Sequence, residues 1–301
     1  MSKFNIRKIL VVVILLWCVS ASYSYYVSYS SPPKHSGYYS SQDDSFLSSL
    51  VNKIIPGKIG IKAKAAIVVN PETGEVLYSK NENLKLPIAS LTKLATALVF
   101  VNANQNLNQP IVISRNDLKN GGRTRLYRGD QITVNDCLHL CLMRSDNIAA
   151  KILIRAAGLE ENEFILLMNE LAKKLNMHST NFADPSGLHA NNVSTAEDLT
   201  KLIQAACNNE IISNIISKKM YQYKPLNRAT ASKLYNTNRL LYGNWDIKGG
   251  KTGFINKAGY CLALDAKDEK GKHISAIILG SPSSNYRFKD AERLLLYALR
   301  D

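Results

Sequence analysis

Ser90-Leu-Thr-Lys93 places a hydroxyl and an amine three residues apart. On a helix that spacing puts both on one face. A serine hydroxyl is a weak nucleophile until a neighbouring base takes its proton. Lys93 is the only charge between Lys85 and Arg115, and Leu-Ala-Thr-Ala-Leu-Val-Phe follows it. A lysine in apolar surroundings loses solvation of its charged form, and its pKa falls toward the range of a working base. The start of a helix also supplies unpaired backbone N–H groups that can stabilise an oxyanion. Taken alone, the pair reads equally as a helix cap and a snorkelling lysine. Ser31-Pro-Pro-Lys34 has the same spacing, but its prolines forbid a helix.

Two further clusters stand downstream. Ser145-Asp-Asn147 lies between two helical patterns. The Ser-x-Asn spacing also occurs at Ser114–Asn116, Ser179–Asn181 and Ser283–Asn285, so the spacing alone is a turn signal. Lys251-Thr-Gly253, preceded by Gly249-Gly250, occurs once, just before a strand-like run. Small residues on a strand edge let a ligand backbone approach and pair. A lysine and a threonine hydroxyl there can hold a terminal carboxylate. A turn into a strand is the plainer reading of that cluster alone.

The elements that must position these residues follow from periodicity and capping. Runs at 65–70 and 75–79, joined by Pro71-Glu-Thr-Gly74, predict a β-hairpin. Apolar periodicity predicts helices over 90–101, 133–144 (capped by Thr133), 147–157, 161–175 and 195–207. Strands are predicted at 260–266 and 273–280, and a closing amphipathic helix at 287–299. Strands at both ends and helices between them predict an α+β domain whose sheet draws on both termini.

In the order Ser-x-x-Lys, Ser-Asp-Asn, Lys-Thr-Gly, with separations of 55 and 106 residues, the three clusters match the active-site set of penicillin-binding proteins and class A β-lactamases. The chain resembles the low-molecular-mass penicillin-binding proteins, the serine D-alanyl-D-alanine carboxypeptidases. The likeness extends through Pro87-Ile-Ala-Ser-Leu-Thr-Lys-Leu-Ala-Thr-Ala97, Arg144-Ser-Asp-Asn-Ile-Ala-Ala150, Asp184-Pro-Ser-Gly-Leu188, Ser194-Thr-Ala196 and Lys251-Thr-Gly-Phe-Ile-Asn-Lys-Ala-Gly-Tyr260. It covers about residues 60–300. The resemblance implies a β-lactamase/transpeptidase-like fold, an antiparallel sheet flanked by helices with an all-helical subdomain.

It also implies roles. Ser90 would attack the carbonyl between two D-alanines of a peptidoglycan stem peptide, and Lys93 would take its proton. Ser145 would relay a proton to the leaving D-alanine. Asn147 would hold the substrate amide, and Lys251, Thr252 and Gly253 would line the place of the terminal carboxylate. The N–H groups of Ser90 and Phe254 would form the oxyanion hole. Arg239 and Arg287 would add positive charge near the carboxylate, or else be solvated. β-Lactams are implied as covalent inhibitors, and no cofactor is implied. The second, β-rich domain and C-terminal anchor of many members are not expected here.

Alternatives remain at this level. They are an endopeptidase of cross-links, a class A β-lactamase, and a non-catalytic penicillin- or wall-binding protein. The β-lactamase needs a Glu-x-x-Leu-Asn loop after Ser145; Glu170 precedes Leu175-Asn176 at the wrong spacing, in a helical segment.

The rest of the chain bounds the setting. Lys3, Arg7 and Lys8 precede eleven apolar residues, Ile9–Val19, and then Ser20-Ala-Ser22. That is the pattern of an export signal, and it is short of the ~20 residues of a spanning helix. Residues 1–22 are therefore expected to be a cleaved signal or an N-terminal anchor with possible membrane contact. Residues 23–57, rich in Ser, Tyr and Pro, are expected to be a tether, and 58–301 the catalytic domain. Trp17 before Cys18 argues against lipoprotein processing. The expected place is the periplasm or outer face of a bacterial membrane.

With 46% hydrophobic and 21% charged residues, the chain is neither disordered nor polytopic. Its net charge of +14 favours acidic partners. Export and the lack of an aromatic-basic motif exclude nucleic acid. Three arginines in Gly121-Gly-Arg-Thr-Arg-Leu-Tyr-Arg128 read as a solvated loop or as a contact to an acidic part of the substrate. Cys137 and Cys141, one helical turn apart among leucines, read as buried thiols, as do Cys207 and Cys261. No His-Glu-x-x-His pattern occurs, and no metal is expected.

Overall fold

In antiparallel order β2-β1-β11-β10-β9, five strands make one sheet from the two ends of the folded region. They are β1 (Ala65–Val69), β2 (Val76–Lys80), β9 (Asp246–Ile255), β10 (Gly259–Lys267) and β11 (His273–Ser281). The computed structural model describes residues 59–103, 106–119, 122 and 124–299. The expected signal or anchor, the tether, Arg123 and the end of the chain lie outside these residues.

Both faces of the sheet are covered, so its strands read as nearly continuous apolar runs. Alternation nevertheless sorts them. Ala65, Ile67, Val69, Cys261, Ala263, Ile277 and Leu279 join one core. Ala66, Val68, Leu262, Leu264, Ala276 and Ile278 join the other. The period-2 pleat sends adjacent residues to opposite faces.

The first core holds α1 (Thr92–Ala103), α2 (Val134–Met143), α3 (Asn147–Ala156), α4 (Glu161–Lys174), α5 (Ala196–Asn208) and α6 (Glu210–Ile216). Every residue of α1 from Thr92 to Val101 is buried. That explains its apolar composition on all sides, because a helix without a polar face belongs inside. On the opposite face α7 (Ser284–Ala298) lays Phe288, Ala291, Leu294, Leu295 and Ala298 on the sheet, spaced as one helical stripe.

Short ribbons close the edges. They are β3 (Leu86–Pro87) with β6 (Val193–Ser194), β4 (Pro110–Val112) with β5 (Gln131–Thr133), and β7 (Met220–Tyr223) with β8 (Ser232–Tyr235). Thr133 caps α2 in a full capping box with Asp136, and Thr195 caps α5 through Asp198 N. Both helices begin where the capping chemistry places them.

Three sequence expectations move. The helix expected from residue 90 begins at Thr92, and Ala89–Leu91 form a single 3-10 turn ahead of it. The closing helix starts at Ser284, capped by Ser283, three residues before the expected position. The Lys251 segment is not a turn into a strand but the middle of β9, an edge strand of ten residues. Helix α6 and the β7–β8 ribbon are additions to the expected elements. Among the described residues, no helix is long and apolar enough to cross a membrane.

Candidate active site

Ser90 stands in the 3-10 turn, where residues i and i+3 nearly eclipse. Lys93 Nζ therefore donates to Ser90 Oγ at 3.1 Å. It also donates to Asn147 Oδ1 at 2.7 Å and, closer still, to the Ser186 carbonyl. Lys93 is fully buried, and desolvation lowers its pKa from the ordinary lysine value to about 8. The charges of Asp184 and Asp146 oppose that shift without cancelling it. A buried amine held by three oxygens, one of them a serine hydroxyl, is equipped to exchange a proton there.

Ser186 reaches Lys93 because Asp184 folds its loop. Asp184 Oδ1 accepts from Ser186 N, from Ser186 Oγ at 2.7 Å and from Gly187 N at 2.7 Å. Its Oδ2 accepts from His189 N and from Asn192 Nδ2 at 2.8 Å. Burial pushes the Asp184 carboxyl up, but this set of donors holds it below the usual range. Gly187 has φ +81, and a Cβ there would lie 2.0 Å from Ala89 O. Only glycine fits at that crossing.

The second cluster hangs between two helices. Asp146 caps α3, accepting from Ile148 N and Ala149 N, and it also accepts from Thr124 Oγ1 at 2.7 Å. Ser145, just before it, has φ +61, an uncommon conformation for a residue with a side chain. Ala89, just before Ser90, is the counterpart at φ +49. Lys251 Nζ crosses from β9 and donates to Ser145 Oγ at 2.6 Å and to Thr252 O at 2.9 Å. Lys251 is also buried, and desolvation, with the charges of Lys93 and Arg287, pulls its pKa well below the ordinary value.

Edge strand β9 completes the cleft. Thr252 Oγ1 lies 2.6 Å from Thr237 Oγ1. Gly253 pairs with Cys261 and Phe254 with Tyr260, and the Phe254 ring stacks on the Tyr260 ring at 4.3 Å. The fold thus brings Ser90, Lys93, Ser145, Asn147, Lys251, Thr252 and Gly253 to one place.

Of the two arginines, Arg239 meets the solvated alternative, and Arg287 acts on Lys251 by charge from a buried position. Arg287 is neither solvated nor turned toward Thr252. It is buried, donating to Gly253 O at 3.1 Å and Cys261 O at 3.2 Å, and desolvation lowers its pKa to about 10. Its guanidinium binds β9 and β10 to α7 from behind. Arg239 is exposed, donates to Asn285 Oδ1 at 3.3 Å, and lines a separate groove of about 540 Å³ with Trp245 and Phe288. Glu170 lies on α4 in another groove, beside Val99 and Leu171, as its helical reading required. Cys137, Cys141 and Cys261 are buried thiols, and Cys207 is half-buried.

Three residues at the site have no role in the sequence reading: Thr237, Ser186 and Asp184. Asp184-Pro-Ser-Gly187 carries turn chemistry, which marks a loop but not the direction of its carbonyl. Nothing in Asn236-Thr-Asn-Arg239 marks Thr237 as a partner of Thr252.

Residues 52–283 match the family described as D-alanyl-D-alanine carboxypeptidase. A D-alanyl-D-alanine endopeptidase of Pseudomonas aeruginosa is 35% identical over 245 residues, covering 80% of this chain and 78% of that protein. A variant of the Streptomyces K15 DD-transpeptidase superposes with TM-score 0.75 at 30% identity, covering 80% of this chain and 99% of that one. Penicillin-binding protein D2 of Listeria monocytogenes, solved in its cefotaxime-bound form, superposes with TM-score 0.71 at 32% identity, covering 81% and 99%.

Proposed function

The chain belongs to the D-alanyl-D-alanine carboxypeptidase family of serine peptidases, and we propose that its cleft hydrolyses peptidoglycan stem peptides ending in D-Ala-D-Ala through an acyl-enzyme on Ser90. The observation that carries this reading is the 3.1 Å contact of a fully buried Lys93 amine with the Ser90 hydroxyl.

Neutral Lys93 takes the Ser90 proton as Oγ attacks the carbonyl between the two D-alanines. The N–H groups of Ser90 and Phe254 stabilise the oxyanion. Asn147 holds the substrate amide. Lys251 and Thr252 bind the terminal carboxylate, and Thr237, sharing a hydrogen bond with Thr252, fixes that hydroxyl. Ser145, bonded to Lys251, relays the proton held by Lys93 to the leaving amine as the C–N bond breaks, which leaves Lys93 neutral again. Water then attacks the ester, Lys93 takes the proton of that water, and Ser90 Oγ accepts it as the ester bond breaks. Arg287 contributes through β9, by position and by charge. β-Lactams enter as substrates of the first half-reaction alone. Residues 1–22 export the chain, and it works outside the cytoplasmic membrane.

A second reading uses the same chemistry on a different amine. The 35% identical relative is named an endopeptidase, so the leaving group here can be the amine of a neighbouring strand instead of free D-alanine. Offering a linear pentapeptide and a cross-linked peptide dimer, with product masses recorded, separates the two. Release of D-alanine supports the carboxypeptidase, and monomer formation supports the endopeptidase. Loss of both in Ser90→Ala is expected. Turnover that persists in that variant contradicts the serine mechanism.

A further inference from the structure

A pocket of about 230 Å³ opens beside Ser145, lined by Thr124, Arg125, Leu140, Arg144, Ser145 and Asp146. Both arginines are exposed, yet both are tethered. Arg125 Nη1 donates to Lys233 O at 3.2 Å, and Arg144 Nη1 donates to Tyr235 O at 3.1 Å. Lys233 and Tyr235 are two apart on β8, so their carbonyls lie on one edge of that strand. One strand edge therefore aligns two guanidinium groups at the mouth of a single pocket. Each guanidinium has five N–H donors in a planar fork.

Among the described residues, neither arginine pairs with a carboxylate. The one acid in the lining is Asp146, whose oxygens are occupied by Thr124 Oγ1, Ile148 N and Ala149 N. Arg144 also caps the C-terminal end of α2, where a cation is favoured in itself. That accounts for its charge but not for the convergence of Arg125 from a different segment.

We propose that this pocket is an anion subsite, in which Arg125 and Arg144 bind a carboxylate carried on the acyl side of the peptide and so select substrates bearing one. The proposal rests on the D,D-peptidase reading above: the pocket is lined by Asp146, the neighbour of Asn147, which in that reading holds the substrate amide. Two guanidinium forks suit a carboxylate better than lysines would, since each can meet both oxygens. The +14 charge of the chain brings acidic peptides to the surface, and these two residues would tell one acidic peptide from another.

The test uses two peptides, Nα-acetyl-X-D-Ala-D-Ala, with X either L-2-aminoadipate or its side-chain amide. The full chain, Arg125→Gln and Arg144→Gln are compared, with benzylpenicillin acylation as control. The full chain is expected to favour the carboxylate peptide in kcat/KM by about 10-fold or more. Each variant loses that preference through KM, while amide turnover and penicillin acylation stay within about twofold. The preference of the full chain also collapses at about 0.5 M NaCl, which checks the proposal even where a variant fails to fold. Equal rates on the two peptides, or a salt-insensitive preference, overturn the subsite. So does an equal loss on both peptides in the variants. If the full chain neither cleaves peptide nor acylates with penicillin, the peptidase reading fails instead, and the subsite with it.

Discussion

Gly253 passes Ser90 so closely that a Cβ on it would stand 3.1 Å from the Ser90 amide nitrogen and 2.9 Å from Ile88 O. Those contacts are backbone and cannot swing away. The strand that would bind the substrate carboxylate and the turn that carries the hydroxyl are therefore fitted to each other at a residue without a side chain. Gly253→Ala forces β9 away from the Ser90 N–H. Acylation by benzylpenicillin is expected to slow by about 10²-fold, the cost of disturbing one oxyanion donor. Circular dichroism should show the fold retained. A Gly253→Ala variant with the acylation rate of the parent would contradict the close fit.

In the proposed mechanism Lys93, with a pKa lowered to about 8, sets the pH dependence. Only the neutral amine accepts the Ser90 proton, and its fraction grows with pH. The acylation rate constant should therefore rise as pH increases through about 8 and level off above it. Lys93→Arg holds a charge that does not leave, and it should lose about 10²–10⁴-fold in rate at every pH. A profile flat across that range would remove Lys93 as the base.

Asp184 tests the loop behind the lysine. Five donors converge on its carboxylate. Asp184→Ala should lower unfolding free energy by about 3 kcal/mol, read from urea midpoints. It should also slow acylation under conditions where both proteins are folded, because the Ser186 carbonyl is then no longer held on Lys93. The Asp184 carboxyl is held below its usual range. Its contribution is therefore present above the ordinary carboxylate pKa and is lost as pH falls through the lowered folded value.

His139 makes a separate statement about acid stability. It is buried, stacked on Tyr221 at 3.5 Å, and its Nδ1 donates to Asn135 O at 2.8 Å. Nε2 has no partner among the described residues. Desolvation, helped by the charge of Lys218 and opposed by the bond to Asn135 O and by Asp136, lowers the pKa from 6.5 to about 4. A depressed pKa means that the unfolded chain takes up a proton that the fold refuses. Stability is therefore lost as pH falls from 6.5 to about 4, by about 3 kcal/mol at the lower end. His139→Phe keeps the stack on Tyr221 and should lose that much less over the same range. Parallel curves for the two proteins would show that His139 titrates normally.

How far the residues alone reach depends on whether neighbours in sequence are neighbours in space. Ser90 and Lys93 are legible because three residues make one turn, and Thr133 and Thr195 because a cap is local. The meeting of Ser145 with Lys251 spans 106 residues. Only the resemblance places them together; no periodicity could. β9 is misread from sequence because Gly249 and Gly250 look like a turn. They are small because Ile216 and Asn238 pack against them, where a Cβ would lie 2.7 Å and 2.6 Å away. Arg287 looks like a substrate or surface residue because its partners are carbonyls of β9 and β10, and a carbonyl leaves no mark in a sequence. Thr237 is silent because its partner, Thr252, lies 15 residues away on another element.

The central claim is that Ser90, activated by Lys93, forms a covalent acyl-enzyme. The most direct measurement is the intact mass of the protein after incubation with benzylpenicillin. A single added penicilloyl mass, located on Ser90 and absent in Ser90→Ala, is the predicted result. Unmodified protein with the penicillin intact would contradict it and leave a non-catalytic binding protein. Unmodified protein with the penicillin consumed would point instead to a β-lactamase.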